Sequence, residues 1–258
     1  LERVPLNPDN IPIEFCKPQD TDTTLVILDT ETMGKMNVAD DHIIELGMIR
    51  CRYDVAGRLV GIDSVLDMFE DPGEPLSREV TKLTGITDDM VRGKQIDRNL
   101  VLEMLQDEPV VAAHNAAFDR PRFDQMIPNE LPWVCTMQNI PWGKMDHSSR
   151  KLEVLLQREG WFYEAHRACV DVLAVAWLLH MVHGSLHALL EPKVRIRAYD
   201  AFEVKDILKE RGYKWDPLDR SWWKDFGEDN DEREYLANLY PNGYRTTSKS
   251  IDRSTAFK

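Results

Sequence analysis

The sequence predicts an α/β layered domain built on a mixed sheet flanked by helices, followed by a small α+β module. Three observations predict it. Short apolar, β-branched runs occur, of which Thr24-Leu25-Val26-Ile27-Leu28 is the clearest. Strand-like stretches come first and then alternate with helical spacing. The texture changes after Leu190-Glu191-Pro192. The chain has 258 residues, 43% hydrophobic and 30% charged, enough for one domain of about 200 residues and an appendage. No apolar run approaches the roughly 18 residues of a membrane span, and the composition is not that of a disordered chain, so a folded soluble protein is expected.

Residues 1–22, rich in Pro, Asp and Asn, read as a lead-in strap. The run 24–28 is then a buried strand ending at Asp29. His42–Arg50 and Val60–Phe69 look like two more strands around a turn containing Gly57, which suggests an antiparallel meander. Leu76–Val91 has helical spacing broken by Gly85, and Asn99–Asp107 gives a second helix. Val110-Val111-Ala112-Ala113 is another buried strand. Ala116–Met126 reads as helix with Pro121 in its first turn. Ser149–Glu159 is amphipathic, and Arg167–Met181 is a long apolar helix that stops near Gly184.

The expected domain organisation is a strap over 1–22, a main domain over 23–190, a Trp-, Lys- and Arg-rich module over 194–240 and a polar tail over 241–258. Within the module, Val194 onward reads as a strand, Glu203–Glu210 as a short helix, Gly212–Lys224 as a hairpin and Glu232–Leu239 as a last helix.

The formal net charge is −13, a sign that repels phosphate backbones at long range. Residues 194–258 hold equal numbers of basic and acidic side chains, so the acidity belongs to residues 1–193. Any nucleic-acid function must therefore be locally arranged. Cys16, Cys51, Cys135 and Cys169 are far apart and show no C-x-x-C spacing, which suggests neither a zinc ribbon nor a disulfide framework. No basic region followed by an apolar one opens the sequence, and a reducing cytoplasm is the expected compartment.

The chemistry is carried by acidic residues at element ends. Asp29-Thr30-Glu31 places two carboxylates at i and i+2 of a strand, where the period of two aims both side chains to one face. Such a pair can share one divalent ion. His114-Asn115-Ala116-Ala117-Phe118-Asp119 puts a third carboxylate in the first turn of a helix, and His166-Arg167-Ala168-Cys169-Val170-Asp171 adds a histidine and a fourth. Four ionised carboxylates in one pocket repel one another and need cations. Oxygen ligation points to Mg²⁺ or Mn²⁺ rather than zinc, and a metal pair suits in-line attack on a phosphodiester. Histidine exchanges protons near neutrality, so His166 is the candidate general base.

Asp-Thr-Glu at 29–31, IIELG at 43–47, LTGIT at 83–87, HNAAFD at 114–119 and HRACVD at 166–171 resemble the ordered motifs of the DEDDh family of 3′-5′ exonucleases, which includes polymerase proofreading subunits and RNase T. The resemblance covers residues 24–182. It implies an RNase H-like fold, with Asp29, Glu31, Asp119 and Asp171 organising two Mg²⁺ or Mn²⁺ ions. It also implies that Asp29 and Glu31 with Asp171 hold the first metal, that Asp29 bridges to the second, that Asp119 acts through water, and that His166 is the general base. The family often has threonine and glycine after the Asp-x-Glu; here Thr32-Met33-Gly34 follows. Thr32 and Met33 are candidates for contact with the terminal nucleotide, and His114 and Asn115 for shaping the strand pocket, although Asn115 could equally be a helix N-cap.

The expected activity is release of nucleoside monophosphates from the 3′ end of single-stranded or frayed DNA. Its alternatives are RNA 3′-end trimming, or a binding scaffold whose module docks a polymerase or repair protein. Within the module, Lys205, Lys209, Arg211, Lys214, Arg220 and Lys224 interleave with Tyr213, Trp215, Trp222 and Trp223, which reads either as a stacking platform for single strands or as a small core with paired surface charges. His180, His183 and His187 lie at helical spacing, but Gly184 interrupts them and no acid or cysteine completes a zinc site.

Overall fold

The computed structural model describes residues 1–227, 231–239 and 245–257. The chain divides into two compact units, one of residues 1–190 with 253–258, the other of residues 191–252. No helix among the described residues is long and apolar enough to cross a membrane.

In the first unit, β1 (Glu2–Arg3) and β2 (Ile13–Glu14) belong to the strap. The long strands β3 (Thr23–Thr32), β4 (Ile43–Tyr53) and β5 (Leu59–Phe69) follow as an antiparallel meander. Then come α1 (Arg78–Thr84), α2 (Asp88–Val91) and α3 (Arg98–Met104), β6 (Val110–Ala113), α4 (Ala116–Met126) and β7 (Trp133–Cys135). The unit continues with α5 (Thr136–Asn139), α6 (Leu152–Arg158), β8 (Trp161–Phe162), α7 (Ala168–Met181) and α8 (Ser185–Leu190). The six-stranded sheet has the order β2-β5-β4-β3-β6-β7, with β6 and β7 parallel to β3.

Leu25, Val26, Ile27 and Leu28 have no exposure because the sheet is covered on both sides. Leu25 and Ile27 pack with Leu155, Val172 and Leu179 of α6 and α7. Val26 and Leu28 pack with Val101 and Phe123 of α3 and α4. Each such side chain contributes roughly 2 kcal/mol on burial. Helix α7 is apolar on nearly every side, as a helix buried under a sheet must be.

Three local expectations are corrected. Strand β3 does not stop at Asp29 but runs to Thr32, because β4 pairs with it as far as Glu31 opposite Glu45 and beyond. Pro121 lies inside α4 rather than in its first turn. The carbonyl left without a donor is that of Ala117, an exposed residue that water can satisfy. The polar tail expected over 241–258 includes Pro241 and Gly243, which lie outside the described residues. Its described residues, 245–257, are built into the fold: Thr246–Ser250 pairs with the strand Lys193–Tyr199, and Arg120, fully buried, donates to the carbonyls of Arg253 (3.0 Å), Ser254 and Ala256. The Trp133 amide also donates to the Arg253 carbonyl at 2.9 Å.

The second unit holds β9 (Lys193–Tyr199), α9 (Lys205–Glu210), β10 (Lys214–Asp216), β11 (Ser221–Gly227), α10 (Glu232–Leu239) and β12 (Thr246–Ser250). Its antiparallel sheet has the order β10-β11-β9-β12. Ile196, Ala198, Leu208, Tyr213, Trp222 and Leu236 form its core.

Candidate active site

Strand alternation sends Asp29 and Glu31 of β3 to the same side, and the first turn of α7 delivers Asp171 to them. Carboxylate oxygens of these three residues lie within 4.8 Å of one another. Gly47 makes this approach possible: a Cβ there would stand 2.3 Å from the Ala168 carbonyl carbon, so α7 begins directly on β4.

Asp119, from the first turn of α4, is buried beside this group. Its Oδ1 accepts from the Thr30 amide (3.1 Å) and the Thr30 hydroxyl (2.8 Å), which fixes the helix to the strand between the two other acids. Among the described residues it is not part of the 4.8 Å cluster, but its charge acts on Asp29.

The electrostatics follow from burial. Asp29 is held well above the ordinary carboxylate range, first by burial and then by Asp119, Asp171 and Glu31. Burial, with Asp171 and Glu45, pushes Glu31 up to about 8. Burial also takes Asp119 to about 7, against the two Thr30 hydrogen bonds that lower it. Asp171 rises to about 6 by burial, restrained by the Tyr163 hydroxyl and the Arg167 amide. Burial, joined at Asp29 and Glu31 by repulsion from the neighbouring acids, thus holds all four acids above the ordinary carboxylate range, and a bound cation would offset both. An all-oxygen donor set of this kind fits a hard divalent ion.

His166 is exposed, just ahead of α7, with φ at +69°. That left-handed conformation is uncommon for a residue other than glycine and gathers at functional sites. Its ring makes no hydrogen bond among the described residues. The next residue is held firmly: Arg167 donates to both oxygens of the fully buried Glu45, and the Ala168 amide donates to Glu45 Oε2 at 3.0 Å.

The remaining expected residues are placed as follows. Thr32 is buried and donates to Asp41 Oδ2 at 3.0 Å. Asp41 also accepts from Arg122 of α4 and the Lys35 amide. Met33 packs among Ile44, Val80, Ile86 and Val91 rather than facing solvent. Both ring nitrogens of His114 are engaged, with the Thr136 hydroxyl (2.8 Å) and the Arg150 carbonyl (2.9 Å). Asn115 occupies the N-cap position of α4, yet its side chain makes no cap bond and stays exposed. His180 stacks on Phe15 with ring centroids 4.2 Å apart.

Sequence reasoning missed two residues. Glu45 lay inside a quoted motif with no role given to it. Tyr163, whose hydroxyl donates to Asp171 Oδ1 at 2.9 Å, belongs to no motif, and eight residues of separation outside a helix give no spacing rule to find it.

Comparison with known proteins gives a consistent picture. A family model described as "Exonuclease" (RNase_T) matches residues 26–179. The DNA polymerase III PolC-type of Staphylococcus aureus is 36% identical over 186 residues, 66% of this chain and 12% of the polymerase. That of Lacticaseibacillus paracasei is 27% identical over 197 residues, 69% of this chain and 13% of the polymerase. The chain thus spans only a small part of the length of these relatives.

Among solved structures, the nuclease domain of 3′hExo, a DEDDh family member bound to rAMP, superposes with a TM-score of 0.50 at 17% identity. The match covers 64% of this chain and 94% of that one. A full-length 3′-exonuclease gives 0.51 at 16%, covering 68% and 66%. At these identities the likeness is one of fold, and it places the main sheet and its helices in the RNase H-like class.

Proposed function

This chain belongs to the exonuclease family whose model spans its residues 26–179, and from that premise we propose that it removes nucleoside monophosphates from the 3′ end of single-stranded or frayed DNA. The observation that carries the reading is the convergence of Asp29, Glu31 and Asp171 within 4.8 Å. DNA is favoured over RNA because the relatives that match most of the catalytic unit are DNA polymerases by name.

Asp29, Glu31 and Asp171 would hold one divalent ion, Mg²⁺ or Mn²⁺, and Asp29 with Asp119 would serve a second. When bound, such ions offset the charge on the phosphodiester and lower the pKa of water. The chain's own groups do the rest. Thr30 keeps Asp119 turned toward Asp29. His166, exposed and near enough for its charge to act on Asp171, takes the proton of the attacking water on its imidazole nitrogen. Asn115, whose exposed side chain makes no cap bond, and the segment Thr32–Met33 at the end of β3 are assigned to the border of the terminal nucleotide. Thr32 and Met33 shape that place through packing, and His114 does so by bracing Thr136 and Arg150.

The test is product analysis on 3′-labelled and 5′-labelled single-stranded DNA with Mn²⁺ or EDTA, using the parent beside folded Asp29→Ala and His166→Ala variants. Metal-dependent release of mononucleotides from the 3′ end, lost in both variants, is expected. Cleavage of a matched RNA in preference to DNA would replace the substrate. No cleavage of either would end the enzymatic reading.

A further inference from the structure

We propose that the sheet of the 191–252 unit is a holder for single-stranded DNA, through the face that its helices leave uncovered. The inference rests on the reading of this chain as an exonuclease acting on DNA strands.

Strand register sorts the side chains of this sheet. On β9, Ile196 and Ala198 point into the core with Leu208 of α9 and Leu236 of α10. Arg195, Arg197 and Tyr199 alternate with them and face the other way. On β11, Trp222 opposes Ala198 and enters the core, whereas Trp223 opposes Arg197 and Asp225 opposes Arg195. Lys214 of β10 stands beside Trp223, and Lys249 of β12 beside Arg195. The face away from the helices therefore carries Arg195, Arg197, Lys214, Lys249, Trp223 and Tyr199 together with Asp216 and Asp225. Arg197 is paired with Asp216 (2.9 Å) and Asp219 (3.0 Å), so among the described residues the unpaired positive charge of the strands is that of the two lysines.

These groups are arranged for a strand. The Arg195 guanidinium lies 4.0 Å over the Trp223 ring while donating to Asp225 at 2.7 and 2.9 Å. Arg245 lies 4.3 Å over the Tyr199 ring. Both cations thus lie over aromatic rings, and guanidinium and ring together suit stacking on bases and contact with phosphate oxygens. Lys214 and Lys249 are exposed and, among the described residues, form no ion pair. The Lys214 ammonium lies 5.2 Å from the centroid of the Trp223 ring, and both lysines would displace counterions from a backbone. A four-stranded sheet with helices on one side and aromatic and basic groups on the other is a recurrent solution for holding unstacked bases.

Of the basic and aromatic residues in the stretch Lys205–Lys224, which the sequence offers either as a stacking platform or as a small core, only Lys214 and Trp223 are counted in this surface. Tyr213 and Trp222 are core residues. Arg211 is held by Glu232, and Lys224 donates to the Arg211 carbonyl. Charge supplies the motive for a separate holder: the net −13 lies in residues 1–193, whereas 194–258 are balanced. An acidic nuclease unit gains a local concentration of substrate from a tethered strand-binding face.

The experiment uses the full chain. Binding of fluorescein-labelled single-stranded DNA of about 30 nucleotides is followed by anisotropy in EDTA across a salt series, and cleavage of an oligomer of about four nucleotides is measured separately with metal. The variants are Lys214→Glu combined with Lys249→Glu, and Trp223→Ala. The charge variant should bind the long strand about tenfold more weakly, with a salt slope shallower by about 1.4, the share of two phosphate contacts. It should still cleave the short oligomer within about twofold of the parent. Trp223→Ala should weaken binding with little change of slope. Parent-like affinity and slope in the charge variant would overturn the proposal and leave the face to a protein partner. A parent that binds in this charge-dependent way but cleaves no oligomer would sustain the holder and overturn the nuclease reading instead.

Discussion

Glu45 and Arg167 form a forked ion pair beneath the acid cluster: Arg167 Nη2 and Nε reach Glu45 Oε1 at 2.7 and 3.0 Å, and Glu45 itself has no exposure. Glu45 sits opposite Glu31 on the neighbouring strand, and Arg167 follows His166 directly, so one pair sets the spacing between a candidate metal-holding acid and the candidate base. Glu45→Gln keeps the shape and removes the charge. It is expected to cost roughly 1–3 kcal/mol in a urea unfolding curve, discounted because the Arg167 side chain is partly exposed. It should lower kcat about 10- to 100-fold with KM little changed, since geometry at the reacting groups is lost rather than strand binding. A parallel rise in KM with kcat intact would show that the pair serves binding instead.

The Tyr163 hydroxyl donates to Asp171 at 2.9 Å, and this bond is the first of the influences that restrain the upward push of burial on that acid. Tyr163→Phe removes it without changing shape. Half-activation by Mn²⁺ should move to about tenfold higher concentration, the usual consequence of losing a partner behind a metal-facing carboxylate. Activity at saturating Mn²⁺ should be largely recovered. A variant whose Mn²⁺ curve overlays the parent would show that Tyr163 only fills space.

Much of the fold was legible because it is written in local pattern. The run 24–28 is apolar on both faces and could only be a covered strand, and HNAAFD and HRACVD each mark a strand or loop passing into a helix. The misses share a cause in long-range contact. Strand β3 continues through Asp29 and Glu31, poor strand formers, because β4 supplies its partners. Arg120 reads as a surface residue until the segment 253–257 returns to cover it. The acids of the site were visible as types, but the Glu45–Arg167 pair spans 122 residues of sequence, and no periodicity connects such positions. Met33 illustrates the limit within the site: it was expected to face a base, yet the neighbouring Val80 and Ile86 draw it into their own cluster.

The acid cluster makes stability depend on pH and metal together. Asp171 at about 6, Asp119 at about 7 and Glu31 at about 8 all lie above their unfolded values, which are about 4. Protons bound in the folded state but released on unfolding stabilise the fold below the unfolded values, and that stability is lost as pH rises through the folded ones. In EDTA, these groups should therefore lower Tm progressively from about pH 4 to about pH 8, most steeply at the acid end where all three contribute, with no further loss from them above that. A divalent ion replaces the lost protons, so Mn²⁺ or Mg²⁺ should raise Tm most at the alkaline end. Differential scanning fluorimetry across pH, with and without metal, gives the answer. Parallel curves would mean that the carboxylates do not share a cation.

Gly47 is the backbone condition for the whole arrangement. The nearest atoms to a Cβ built there are backbone, the Ala168 carbonyl carbon at 2.3 Å and the Cys169 nitrogen at 2.4 Å, and neither can rotate away as a side-chain tip would. Gly47→Ala must push the first turn of α7 off β4. That turn carries Asp171 and follows directly on His166, so both move relative to Asp29 and Glu31 while the strand stays in place. A displacement on the order of 1 Å at reacting groups lowers turnover about 100-fold. The variant should therefore lose cleavage and Mn²⁺ affinity together, with a lowered Tm from the displaced core residues Cys169 and Val172. Gly85→Ala is the contrast: nothing stands within 4 Å of its Cβ, and the left-handed φ of +73° costs only about 1–2 kcal/mol of stability. Full activity in Gly47→Ala would show that α7 can dock on the sheet without this close contact, and that the position of Asp171 is set by Glu45 alone.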